Sequence, residues 1–332
     1  MKVYERYHDI PESTPPSVVT IGVFDGLHVG HQTLLQRVIE ESRARKLWPA
    51  AITFHPHPAR ALSPRTSLPL LMPDLFKIQG LSSVGLRFVL RQDFDAVFAS
   101  LSSDEFSRAV LSDQINARLV VIGDDFAFGR KREGNIHSLT AFGKRDGYEV
   151  VTIPRVHVGG STVSSTRIRS LLADGDPGQA LALLGRPFVL SGSVVAGRQR
   201  GRKLGFPTAN LQPDGMMVPG PGVYVGHAWI PGETRPYLSV TNIGTSPTFG
   251  PAEMTVEPHL VDFHGDILGQ RIALSFLARL RNEEKFPAAK ALVAQILRDV
   301  QAAREIASTL PEQPHLSLLD GDRLNGPVYP QR

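Results

Sequence analysis

The sequence predicts an α/β chain in two parts: an N-terminal doubly wound parallel sheet, then a small antiparallel β-barrel with a docked C-terminal helix. Three observations carry this. Up to about residue 185, short apolar runs alternate with stretches of helical periodicity, the pattern of a parallel sheet whose strands are buried on both faces. From Phe188 onward, apolar runs recur at short intervals with turn residues between them and no long helix, which fits a closed barrel. A last helical repeat over about 286–306 puts Ala289, Leu292, Val293, Ile296, Val300 and Ala303 on one face, free to dock on that barrel.

The first strand is read at 18–22, an apolar run ending at Gly22. A turn carrying Gly26, His28 and Gly30 leads from it into a helix in which Leu34, Leu35, Val38 and Ile39 share one face. The second strand, 49–54, is stopped by His55-Pro56-His57-Pro58, where two prolines predict a loop. A third lies at 86–90, and Ser103-Asp104-Glu105-Phe106 has the N-cap and first-turn acids of a helix start. The fourth, 119–123, runs into a second glycine-bearing loop from Asp124 to Arg132; the fifth is 148–153. Ligands of doubly wound sheets sit at the carboxyl ends of the strands, so the loops after the first, second and fourth strands fall on the binding edge. The segment from Ser161 to Arg169 enters a helix near Leu171 and Leu172, and a short helix at 177–184 ends at Gly185.

There the texture changes, and the expected domains are 1–185 and 186–306. Barrel strands are read at 188–190, 194–195, 222–225, 237–240, 255–261 and 271–277. The tail, 307–332, has Pro311, Pro314, Gly321, Gly326 and Pro327 without periodicity and is expected to be disordered.

Composition narrows the chemistry. At 332 residues the chain can bury two cores, and 42% hydrophobic with 20% charged residues is ordinary for a globular protein. The absence of cysteine excludes disulfides, thiolate metal sites and cysteine nucleophiles. A net charge of +4 favours anionic partners without choosing among nucleotides, nucleic acids and membranes. The polar opening, with Glu5, Arg6, His8, Asp9 and Glu12, lacks the apolar core of a signal peptide, and no later run suits a membrane span; a cytoplasmic protein is expected.

The most informative stretch is Gly22-Val23-Phe24-Asp25-Gly26-Leu27-His28-Val29-Gly30-His31. A strand, a tight turn and a helix start make a phosphate site, because orphan backbone N–H groups and the positive end of the helix dipole face one point. Glycines 22, 26 and 30 let an anion approach the backbone, and two histidines stand at the helix entrance. Taken alone, His28 and His31 are equally consistent with local capping, and Ser164, Ser165 and Thr166 with an ordinary N-cap. His55 and His57 read better as loop residues than as a metal pair, with no third ligand evident.

Read in order, four segments change this balance: G-x-F-D-G-x-H-x-G-H at 22–31, G-D-D-F-x-F-G at 123–129, S-S-T-x-I-R at 164–169 and G-F-P-T-A-N at 205–210. Together they resemble the bacterial bifunctional riboflavin kinase/FAD synthetase family, over about residues 17 to 306. The resemblance implies a nucleotidylyltransferase-like first domain that joins FMN to the AMP part of ATP, giving FAD and pyrophosphate. It implies a second domain that phosphorylates riboflavin with ATP, giving FMN, with Mg²⁺ assisting. In the first domain, His28 and His31 would face the triphosphate beside Gly22, Phe24, Asp25, Gly26 and Gly30. Asp125 would contact nucleotide, and Ser164, Ser165, Thr166 and Arg169 would hold the departing pyrophosphate.

In the second domain the resemblance makes Glu257 the base, Thr208 and Asn210 metal ligands, and Gly201, Lys203, Gly205, Phe206, Pro207, Asn242 and Arg281 the surroundings of ATP and flavin. The chain departs from the family at His55, where an acid is more usual, and in the tail. Partners are then riboflavin, FMN, FAD, ATP and ADP, with neither nucleic acid nor membrane; a homo-oligomer is left open. The competing readings are an adenylyltransferase with an idle or regulatory barrel, and a basic nucleic-acid-binding protein.

Overall fold

The computed structural model describes residues 1–63, 68–197, 201, 204–246 and 253–309. By contacts the chain forms two units, one of Met1–Leu68 with Lys77–Val163 and one of Pro69–Phe76 with Ser164–Arg332. In chain order the elements up to Val163 are β1 (Lys2–Tyr4), β2 (Ser17–Ile21), α1 (Val29–Arg45), β3 (Trp48–His55), α2 (Pro58–Leu62), α3 (Asp74–Ser83), β4 (Phe88–Asp93), α4 (Ala96–Ala99), α5 (Ser103–Glu105), β5 (Ala117–Gly123), α6 (Ile136–Asp146), β6 (Glu149–Ile153), β7 (His157–Val158) and β8 (Ser161–Thr162).

Six of these strands form one parallel sheet in the order β1-β4-β3-β2-β5-β6. Residues of β2 are buried on both faces, as its unbroken apolar run requires. Helix α1 closes with Lys46 in the left-handed region and with Arg43 and Arg45 in its last turn, where basic residues oppose the negative end of the dipole. The chain moves from β2 outward through β3 and β4, then returns to place β5 on the other side of β2. The strand order therefore reverses between β2 and β5, and the crevice at such a switch point is where ligands of doubly wound sheets bind.

The second unit contains α7 (Ser165–Ala173), α8 (Pro177–Leu184), β9 (Phe188–Val195), β10 (Asn210–Pro213), β11 (Gly222–Trp229), β12 (Tyr237–Ser246), β13 (Glu253–Leu260), β14 (Arg271–Phe276), β15 (Ala278–Arg281) and α9 (Ala289–Thr309). The sheet runs β12-β13-β10-β9-β14-β11-β15, and a further pairing of β12 with β11 closes it into an antiparallel barrel. Inside, Val194, Leu211, Val256 and Ile243 are successive cross-strand partners and all are buried. Outside, α9 covers Val223, Val225 and Val240 with Ala303, Val300 and Ile306.

Several elements differ from the sequence expectation. The runs at 188–190 and 194–195 are one strand, β9, because Ser191-Gly192-Ser193 between them is also paired; a Cβ on Gly192 would come 2.2 Å from the Gln212 carbonyl oxygen, so close strand approach dictates a glycine there. Strands β1, β10 and β15 have only 3, 4 and 4 residues, too short to show a period. Pro58 starts a helix instead of a loop: it occupies the first turn of α2, and the His57 ring accepts the Ala59 N–H at 3.1 Å. The helix opening at Ser103 continues as a π-helical stretch over Phe106–Gln114. Helix α9 begins at Ala289, after Pro287, since a residue preceding proline is driven out of the helical region. The tail from 310 lies outside the described residues.

Candidate active sites

The first site is built on the turn between β2 and α1. Its carbonyls are engaged inward: the Thr53 hydroxyl donates to Val23 at 3.1 Å, the Leu27 N–H to Phe24 at 3.2 Å, the Gln32 amide to Leu27 at 2.8 Å and the Gln32 N–H to His28 at 3.0 Å. These bonds turn the acceptors away and fix the path of the chain. Gly26 has φ of 85°, a region that disfavours side chains, and Phe24 and Leu27 adopt positive φ beside it. A Cβ on Gly22 would stand 3.0 Å from the Phe24 ring, so Gly22 makes room for that ring.

His28 is the N-cap of α1, and its Nδ1 accepts the His31 N–H at 3.3 Å. In the neutral ring this places the proton on Nε2, which becomes a donor for an anion. The two imidazoles stack, centroids 3.6 Å apart and planes 12° apart, and the Phe24 ring meets His31 edge-on at 5.2 Å. Phe24 is wholly buried and Asp25 is 5% exposed. The first turn of α1 carries no acid of its own, so the His28 ring is the side chain that caps this positive helix end.

Asp125 lies in the loop after β5, across the switch point from this turn. It is exposed; Arg155 reaches it at 3.4 Å and also binds Asp124 through Nε at 3.1 Å. Ser164, Ser165, Thr166 and Arg169 belong to the second unit. Ser164 caps α7 by accepting the Arg167 N–H at 3.2 Å, and Arg169 Nε donates to the Pro69 carbonyl at 2.7 Å. Lys77, absent from the sequence reading, is 7% exposed and donates to the carbonyl of Phe54 at 3.1 Å, at the same sheet edge. No local pattern marks a buried lysine.

The second site lies on the outer face of the barrel. Asn242 is paired with Glu257 across β12 and β13. Thr208 bridges His259, and Leu211 is paired with Val256, so Asn210 between them falls opposite Glu257 on its other side. Val223 stands opposite both Asn242 and Arg281. Cross-strand partners share a face. Asn210, Glu257, Asn242, Val223 and Arg281 thus form one transverse row, with Thr208 and His259 a pleat away.

The segment leading into β10 is docked on β13: Ala209 N–H donates to Pro258 at 2.9 Å, the His259 ring contacts the Pro207 carbonyl at 2.9 Å, and the Phe206 ring meets His259 at 5.5 Å. The N–H groups of Leu204 and Phe206 both donate to the Gly201 carbonyl, closing a turn in which Gly205 has φ of 84°. Lys203, and the neighbouring Arg202, lie outside the described residues. Arg281 is held by Asp299 of α9. His259 follows Thr255 and Glu257 in the alternating polar pattern of its strand, a signal visible in the sequence; Asp299, eighteen residues beyond its partner, had no such signal.

Thr208 and Asn210 offer neutral hard oxygens beside the Glu257 carboxylate, a donor set that suits a small divalent cation whose remaining ligands are phosphate and water. Among the described residues there is no group of three His, Cys, Asp or Glu that could hold a metal ion.

Comparison with known proteins places these two sites in context. A family profile described as FAD synthetase matches residues 10–167, and one described as riboflavin kinase matches residues 184–307. A bifunctional riboflavin kinase/FMN adenylyltransferase of Escherichia coli K12 is 36% identical over 306 residues, 92% of this chain and 97% of that protein. Its namesake in Pseudomonas fluorescens is 36% identical over 309 residues, 93% of this chain and 98% of that protein. A crystal structure from Streptococcus pneumoniae, titled a macrolide-efflux protein, matches with a TM-score of 0.83 and 32% identity over 91% of this chain and 98% of that one. Among the described residues no helix is long and apolar enough to cross a membrane.

Proposed function

We propose a division of chemical roles for a chain that belongs to the bifunctional riboflavin kinase/FMN adenylyltransferase family, with adenylyltransferase activity in its N-terminal domain and kinase activity in its C-terminal domain. Its substrates are riboflavin, FMN and ATP, and enzymes of these two families typically use a divalent metal. The observation that carries the residue assignment is the row Asn210-Glu257-Asn242, assembled from three separate strands.

In the kinase step a neutral hydroxyl must become a nucleophile. Glu257 accepts the proton of the riboflavin 5′-hydroxyl as its oxygen bonds to the γ-phosphorus of ATP and the bond to the β,γ-bridging oxygen breaks, releasing ADP. Thr208 and Asn210 would hold Mg²⁺, which when bound neutralises phosphate charge. Gly201, Gly205, Phe206 and Pro207 surround the nucleotide on that side of Glu257, and Lys203 is assigned to the nucleotide by the resemblance alone. In-line transfer brings the acceptor from the opposite side, where Asn242 and then Arg281 lie, so these two face the flavin.

In the adenylyl step the FMN phosphate is already anionic and needs no base. A phosphate oxygen bonds to the α-phosphorus of ATP while the bond to the α,β-bridging oxygen breaks and pyrophosphate leaves. His28 Nε2–H, His31 and the first-turn N–H groups of α1 stabilise the charge that develops; Gly22 and Gly30 leave room for the Phe24 and His28 rings, Gly26 supplies the positive φ of the turn, and Phe24 and Asp25 hold it. Asp125 contacts the nucleotide. Ser164, Ser165, Thr166 and Arg169 receive the pyrophosphate.

Incubation of the protein with riboflavin, ATP and Mg²⁺, with the flavins resolved by chromatography, tests the reading. FMN followed by FAD is expected. Glu257→Gln should make FAD only when FMN is supplied, and loss of both products in that variant would sink the separation of roles.

A further inference from the structure

Helix α9 is seated on the barrel by apolar contact, yet a carboxylate lies in the same interface: Asp299 is 5% exposed. Its partners are well defined. Arg281 Nε donates to the two Asp299 oxygens at 3.0 and 3.1 Å, Nη2 donates to Oδ2 at 2.8 Å, and the Gln295 amide donates to Oδ1 at 2.8 Å. On the other edge of the guanidinium, Nη1 donates to the Asn282 carbonyl at 3.0 Å, and the Phe286 ring lies 5.6 Å from Cζ. Desolvating two charges offsets most of their attraction, so such a pair adds little to net stability. It does fix a guanidinium in one orientation, because the planar fork accepts a carboxylate in few geometries.

Arg281 is the last member of the row that holds Glu257. Three strand steps separate the two, roughly 14 Å at the usual spacing. A long flexible side chain at that position would ordinarily spend its time in solvent, and Asp299 prevents this. We infer that Asp299 is a positioning residue for riboflavin phosphorylation: it holds the Arg281 guanidinium on the flavin side of the kinase row. The inference rests on the reading of Arg281 given above, and the test separates the two.

The experiment uses the full chain with Arg281→Ala, Asp299→Asn and the double variant. It reads the KM for riboflavin and kcat at saturating ATP and Mg²⁺, with adenylyl transfer to supplied FMN and a thermal melt as controls of folding. Asp299→Asn should raise the riboflavin KM by roughly 10-fold, the loss of one charge-assisted hydrogen bond, with kcat little changed and adenylyl transfer intact. The double variant should be no worse than Arg281→Ala, because Asp299 acts only through Arg281. If Arg281→Ala leaves the riboflavin KM unchanged, the reading of Arg281 falls and the inference with it. If Arg281→Ala raises KM while Asp299→Asn does not, or the two effects add, Arg281 keeps its role and Asp299 has none. A drop in kcat, adenylyl transfer and melting temperature together in Asp299→Asn would mark a folding defect and overturn the inference.

Discussion

Glu257 stands directly opposite Asn242 on the neighbouring strand, and Asn210 falls opposite it on the other side. The three residues are separated by 32 and 15 positions in sequence, and a barrel register puts them side by side. Glu257 is half-buried, so a carboxylate stands between two amides on the outer face of the barrel.

Glu257→Gln keeps the shape of this row and removes the base. FMN formation from riboflavin is expected to fall by roughly 10²- to 10⁴-fold, with adenylyl transfer to supplied FMN within about twofold of normal. Separate initial-rate assays of the two half-reactions check this.

Thr208→Val and Asn210→Ala should each raise the Mg²⁺ concentration that half-saturates the kinase by roughly tenfold, since each removes one oxygen ligand. The adenylyl step in the same protein should keep its metal dependence. A metal titration of both activities decides it, and an equal shift in both would remove these residues as ligands.

Gly22→Ala places a Cβ 3.0 Å from the Phe24 ring, and Phe24 supports His31. The ring must move and the imidazole stack with it. Adenylyl transfer should drop by roughly tenfold or more, as small misplacements of reacting groups do, while kinase activity persists. His31→Ala should act in the same direction, and normal adenylyl transfer in either variant would exclude this turn from the chemistry.

Tyr148 gives a pH-dependent expectation. Burial pushes its phenol up from 10.0 to about 12, partly opposed by the contact of its hydroxyl with Ser107 at 2.6 Å and aided by the charge of Asp146. The folded state thus holds the proton more tightly than the unfolded state does. The associated stability is present in full below pH 10 and is lost as pH rises toward 12. Absorbance titration of the phenolates should show one late-titrating tyrosine that Tyr148→Phe removes, together with a flatter loss of melting temperature across that interval.

Much of this protein was legible from one sequence. The apolar run at 18–22 lies within a residue of β2, and the helix expected to enter at the two histidines is α1, which begins at Val29. The alternation of strands and helices implied the parallel sheet, and the short runs after Phe188 implied the barrel. What failed locally failed for physical reasons: Ser191-Gly192-Ser193 looks like a break because its requirement for a small residue comes from the facing strand. Pro58 looks like a stop because proline breaks a helix interior, whereas at the first helical position its missing N–H and fixed φ cost nothing.

By itself, then, the sequence determined the two kinds of fold, the glycine turn between β2 and α1 and the motifs that carry the family resemblance, because periodicity, glycine placement and capping are local properties of a chain. Only the tertiary structure decided that Asn210, Glu257, Asn242 and Arg281 share one row, that the His28 and His31 rings stack, and that Asp299 holds Arg281. Strand register and helix docking are set by how distant segments bury their surfaces against each other, and no stretch of sequence records that alone.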